Sequence, residues 1–209
     1  MAQTGFVFVA LGDSTGVGVG ARQGGGYPDR LMQRLLGDGQ AGRIFNACVS
    51  GAQVADVFQR QVDYAMAANP TLVTVGIGIN DLWRGTPPAS YRADLTRIAE
   101  RIAKTSARVV ATNIPDLAYA PVAQSVPKSM YEGRIETFNV EIAAVAAHFG
   151  WAVVDLFHAS QQYLPDHPEY FSEDGFHPSD AGYERWTDVM WPVVRAMTRE
   201  QSYARTSGL

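Results

Sequence analysis

The chain reads as an α/β protein built on a parallel sheet. Five short apolar runs predict it, together with the helical periods that separate them. The runs cover 6–11, 43–47, 72–77, 108–113 and 151–155, and they are almost wholly apolar with many β-branched residues. That is the pattern of strands covered on both faces, not of half-exposed strands that alternate. Right-handed crossovers then connect them.

Taken in order, strand 6–11 runs directly into Gly12-Asp13-Ser14, and a first helix covers 27–36. Strand 43–47 leads to Gly51 and then to a stripe of Val54, Val57, Phe58, Val62, Ala65 and Met66 at helical spacing. After strand 72–77 come Gly78-Ile79-Asn80-Asp81, which taken alone read as a strand-ending turn, and the stripe Tyr91, Leu95, Ile98 and Ile102. Strand 108–113 is followed by an irregular stretch, 114–129, marked by Pro115, Pro121 and Pro127. A further stripe, Ile135, Phe138, Ile142, Val145, Ala146 and Phe149, precedes strand 151–155. Beyond a second irregular stretch with His158 and His167, a last helix runs over about 179–199, kinked at Pro192. The polar tail 201–209 is expected to fray.

At 209 residues, with 46% hydrophobic and 18% charged residues, the chain has the make-up of one globular domain spanning 1–209. A net charge of −4 without a basic cluster argues against nucleic acid or an anionic membrane as partner. No run of 18 apolar residues provides a membrane span. The N-terminal apolar stretch lacks a basic flank and reads as a core strand, which points to the cytoplasm; a signal removed upstream would point instead to the periplasm or to secretion. Cys48 is the only cysteine, so there is no intrachain disulfide, and it reads as a thiol buried at a strand end. No metal or other cofactor is expected, since the histidines and aspartates follow no ligand spacing. The sequence specifies no oligomeric state.

Four separated fragments carry chemistry: Gly12-Asp13-Ser14, Gly51, Gly78-Ile79-Asn80-Asp81 and Asp174-Gly175-Phe176-His177-Pro178. Asp174, three residues before His177, can orient that imidazole from one short turn, and Ser14 supplies a nucleophile. Ser14, Gly51 and Asn80 each follow a predicted parallel strand, and the carboxyl ends of such strands converge on one crevice. There the backbone N–H groups of Ser14 and Gly51 and the Asn80 amide can form an oxyanion hole. Gly12-x-Ser14-x-Gly16 also matches the nucleophile elbow of α/β-hydrolases, but that elbow follows a mid-chain strand and its acid and base lie well apart. The glycines at 16, 18 and 20 make only a degenerate dinucleotide pattern, too far from the strand.

Together the four fragments resemble the blocks of the SGNH hydrolase family, the GDSL-type esterases and lipases, over almost the whole chain. The one departure is Thr15, where the name-giving motif carries leucine; it touches the wall beside the nucleophile. The resemblance implies a flavodoxin-like three-layer α/β/α sandwich with a five-stranded sheet of order 2-1-3-4-5. It also implies a metal-free serine esterase acting on small or single-chain acyl esters or thioesters, with Ser14, Asp174 and His177 as triad. The lysophospholipase, thioesterase and arylesterase type is the nearest match, with carbohydrate acetylesterases second. An acyltransferase and a non-catalytic carbohydrate- or lipid-binding module are the readings of other classes. Trp83, Tyr119 and Val122 are candidates for substrate contact, the last two because 114–131 is an apolar segment on the Ser14 side of the sheet, suited to a wall or lid.

Overall fold

The computed structural model describes residues 5–125 and 127–206. Its sheet holds five parallel strands in the order β2-β1-β3-β4-β5. These are β1 (Phe6–Gly12), β2 (Gly42–Asn46), β3 (Leu72–Gly76), β4 (Arg108–Thr112) and β5 (Ala152–Val154), every boundary within one residue of the predicted runs. Gly12 pairs with Gly76, so the carboxyl ends of β1 and β3 stand side by side at the centre of the sheet.

The period of two sorts the strand residues between two cores. Phe6, Phe8 and Ala10 of β1 point into one, with Leu72 and Val110; Val9 and Leu11 point into the other, with Val73, Val75 and Val109. The Phe8 side is covered by α2 (Tyr27–Gly37) and α9 (Asp180–Thr206), through Leu31, Leu35, Trp186 and Met190. The Val9 side is covered by α3 (Val54–Asp56), a π turn (Val57–Gln61), α4 (Val62–Met66), α6 (Pro88–Ile102) and α7 (Lys128–Phe149). Three shorter helices follow strands directly: α1 (Ser14–Val17), α5 (Ile79–Arg84) and α8 (Leu156–Tyr163). Among the described residues, no helix is long and apolar enough to cross a membrane.

Five expectations need correction. The two edge strands are not covered on both faces: every residue of β2 is half-buried or exposed and Val153 of β5 is exposed, because an edge strand has a neighbour on one side only. Asn80 and Asp81 lie in helix α5, not in a simple turn, and 156–163 forms α8; both helices are too short for an apolar period to show. The segment after β4 is not structureless, since Leu117–Tyr119 and Pro121–Ala123 form 3₁₀ turns and α7 begins already at Lys128. Finally, α9 continues through Thr206 with Pro192 inside it, so 201–206 is helical, and 207–209 lie outside the described residues.

Candidate active site

The end of β1 is held from across the core. Gln61, in the π turn and only 2% exposed, donates to the Gly12 carbonyl (2.9 Å) and accepts from the Gly12 N–H (3.0 Å). A π turn inside an α-helical stretch is a recurrent feature near functional sites, since it turns a side chain out of the regular row. Immediately after Gly12, buried Asp13 caps α1: its Oδ1 accepts from both the N–H and the hydroxyl of Thr15, each at 2.9 Å. Burial pushes the Asp13 carboxyl up in spite of these bonds. Ser14 is thereby fixed as the first residue of a helix at the centre of the sheet's carboxyl edge.

His177 comes to Ser14 from a turn before α9. The turn is closed by an antiparallel bridge between Phe171 and Pro178, by Ser172 N–H donating to the His177 carbonyl (2.8 Å), and by Gly175 N–H donating to the Ser172 carbonyl (2.9 Å). Asp174 sits inside it. Its Oδ1 accepts from the Phe176 and His177 N–H groups and from the Ser172 hydroxyl, while Oδ2 lies 2.6 Å from His177 Nδ1. Desolvation works to raise the Asp174 carboxyl, yet the bonds from His177, Phe176 and Ser172 outweigh it and hold it well below the usual carboxylate range. An ionised carboxylate only accepts, so Nδ1 of His177 carries the proton and Nε2 presents a lone pair. That Nε2 is 3.0 Å from Ser14 Oγ. Arg30, which bonds Asp180 (2.9 Å) and Glu184 (3.1 Å), and Arg34, which bonds Glu184 and Asp188, pin the start of α9 to α2.

The third component joins the loop after β2 to α5. Gly51 has φ +77°, a left-handed conformation that a side chain resists, in a turn closed by Ala52 N–H donating to Val49. Gly78, at φ +131°, caps α5, and a Cβ there would meet Ile114 Cδ1 at 2.9 Å. Asn80 Nδ2 donates one hydrogen to the Ala52 carbonyl (3.0 Å), which orients the amide and leaves the second hydrogen for another acceptor. Asp81, with no exposed surface, accepts from Val54 N–H (2.9 Å), and burial pushes its carboxyl up to about 6. Gln53 adds a bond to Thr86 (2.8 Å) and accepts one from Arg84 (3.3 Å), so the two segments that bear Gly51 and Asn80 are stitched together at four points.

Beside Ser14 lies a cavity of about 50 Å³ whose walls include Thr15, Ile79, Leu117, Phe176, His177 and Trp186. Of the segment 114–131, it is Pro115, Asp116 and Leu117 that reach this cavity. Val122, 48% exposed, donates its N–H to the Gly175 carbonyl and packs on the Asp174 turn, while Tyr119 is half-buried in the neighbouring 3₁₀ turn. Trp83, 42% exposed, stands edge-on to Phe176 and Tyr131. Two other histidines pair with carboxylates away from Ser14: exposed His158 with Asp155 (2.6 Å) and half-buried His167 with Glu169 (2.7 Å). Cys48 is half-buried, and desolvation pushes its thiol well up. Gln61 escapes sequence reasoning as a site support because its partner, Gly12, lies 49 residues away and follows no spacing rule.

Comparison with known proteins agrees with this architecture. The model of the GDSL-like lipase/acylhydrolase family matches residues 10–185. Esterase TesA of Pseudomonas aeruginosa is 26% identical over 189 residues, covering 90% of this chain and 88% of that protein. The arylesterase of Vibrio mimicus is 25% identical over 170 residues, covering 81% and 78% of the two chains. Among solved structures, TesA matches with a TM-score of 0.77 at 26% identity, over 91% of this chain and 99% of that one. The SGNH-hydrolase esterase AlinE4 matches with a TM-score of 0.68 at 26% identity, over 94% and 98%. A match over so much of the sequence, onto the same fold, places this chain in the GDSL-like lipase/acylhydrolase family of carboxylic ester hydrolases.

Proposed function

We propose that the chain hydrolyses carboxylic esters through an acyl-serine intermediate, with Ser14 as nucleophile, His177 as base and then acid, and Asp174 as the group that orients the imidazole. One observation carries the assignment: the continuous relay from Asp174 Oδ2 to His177 Nδ1 (2.6 Å) and from His177 Nε2 to Ser14 Oγ (3.0 Å). In the first half-reaction Ser14 Oγ attacks the ester carbonyl carbon as its proton passes to Nε2. The tetrahedral oxyanion is held by the N–H groups of Ser14 and Gly51 and the free hydrogen of Asn80 Nδ2. Collapse expels the alcohol, which takes the proton from Nε2. Water then repeats the sequence on the acyl-serine and releases the acid. We place the alcohol portion of the substrate along the rim near Trp83, Tyr119 and Val122, because Trp83 and Val122 are exposed beside the His177 turn.

A fluorophosphonate probe tests the nucleophile directly. Wild-type protein should gain one phosphonyl group, located on Ser14 by peptide mass spectrometry, and His177→Ala should label far more slowly. Label on another residue, or none in protein that turns over esters, would overturn the assignment.

Asn80→Ala tests the oxyanion site. Loss of one preorganised donor is expected to lower kcat by about 10²–10³ with little change in KM. The same change leaves the Ala52 carbonyl without its partner at a cost of about 1–3 kcal/mol, so a modest fall in Tm should accompany it. An effect confined to KM would move Asn80 to the substrate-binding surface.

A further inference from the structure

Resting on Ser14 as nucleophile, we propose that the cavity beside it is a closed pocket for short acyl chains, and that Thr15 sets how long a chain it accepts. The cavity of about 50 Å³ opens on Ser14 and His177 and is otherwise lined mainly by apolar side chains. Neither Gly51 nor Asn80 belongs to its lining. With the carbonyl oxygen held by those two residues, the acyl substituent therefore has this separate space to enter. Part of its wall is Tyr163 and Trp186, which are 8% and 6% exposed. Trp186 is stacked on Tyr27 (6.1 Å), and Tyr27 has no exposed surface, so the wall is part of the core. A single water needs roughly 10–15 Å³ measured in this way, so the space takes a few carbon atoms and not a long chain.

Thr15 controls the depth. It lines this cavity and also a smaller one of about 10 Å³ behind it, which shares Ile79, Pro115 and Trp186. The side chain is fixed in place by its hydroxyl, which donates to Asp13 Oδ1 (2.9 Å). Leucine, the residue of the name-giving motif at this position, reaches one bond further from Cβ than threonine, and here that reach would fall within the two cavities. Threonine in this chain is thus what keeps the space open beside the nucleophile. Buried position and fixed conformer make it a specificity residue that touches neither the proton relay nor the oxyanion donors.

The experiment is kcat/KM for p-nitrophenyl acetate, butyrate and octanoate with wild-type protein, Thr15→Leu and Thr15→Val. Wild type should favour butyrate over octanoate by about ten-fold or more, since one misfitted methylene is worth roughly 10–200-fold. Thr15→Leu should lower the butyrate-to-acetate ratio by about ten-fold or more, on the same scale. Thr15→Val loses the hydroxyl but keeps the size, and its ratio should stay at the wild-type value. If Thr15→Leu fails to fold, Leu117→Ala enlarges the same pocket and should raise the octanoate-to-butyrate ratio by about ten-fold. A wild type that prefers octanoate, or unchanged ratios in folded Thr15→Leu or in Leu117→Ala, would overturn the pocket. Phosphonate labelling separates the two readings: label on Ser14 with unchanged ratios refutes the pocket alone, and label elsewhere refutes the nucleophile.

Discussion

Ser14→Ala is expected to lower kcat by about 10⁶ while leaving the fold intact. The Ser14 hydroxyl bonds to His177, whereas the residue's structural duties are met by its backbone carbonyl, which accepts from Gly18 and Val19. Alanine therefore removes one oxygen atom and leaves α1 with its Asp13 cap. His177→Ala should cost a similar factor, and the double variant should lose no more than either single one, because nucleophile and base act as a unit. Circular dichroism and Tm of the variants would show that the protein remains folded. Ester turnover by Ser14→Ala within ten-fold of wild type, in protein free of contaminating esterase, would show that another residue attacks.

The centre of the sheet was legible because a parallel strand covered on both sides leaves an almost continuous apolar run, as β1, β3 and β4 do, while the half-covered edge strands β2 and β5 carried shorter runs. What the sequence obscured is local or distant. Helix α5 has only Ile79 and Leu82 as its apolar face, so a turn explained Gly78-Ile79-Asn80-Asp81 equally well. The site was legible as residue types but not as geometry. Two Asp-x-x-His pairs exist, Asp155 with His158 and Asp174 with His177, and both show the same 2.6 Å contact between carboxylate and Nδ1. Only the second has Nε2 beside Ser14, a proximity the fold creates between residues 163 positions apart. Spacing alone describes the pair; the crossing of β1 and the Asp174 turn decides which pair has a nucleophile to serve. The expected substrate contacts show the same division. The segment after β4 does reach the space beside Ser14, but through Pro115 and Leu117, since Val122 is drawn away by its bond to Gly175.

Asp174→Asn is the second large effect, expected at about 10⁴ in kcat. The change is nearly isosteric, and the amide oxygen can take over the bonds that Oδ1 accepts from Ser172, Phe176 and His177, so the turn should survive. The amide nitrogen then replaces Oδ2 opposite His177 Nδ1. Two donors cannot share that contact, so the imidazole gives up the Nδ1 proton and carries it on Nε2, the atom that must accept from Ser14. The nucleophile loses its base without any side chain leaving its place. The pH dependence follows from the carboxyl's lowered range: it is ionised above the ordinary carboxylate value, and its bonds weaken only as pH falls through the lowered one. The defect of the variant should therefore be present across the whole neutral range and not be repaired by raising the pH to 8. A loss of less than about ten-fold, with Tm reduced in proportion, would reduce Asp174 to a turn-forming residue and leave His177 to find its tautomer unaided.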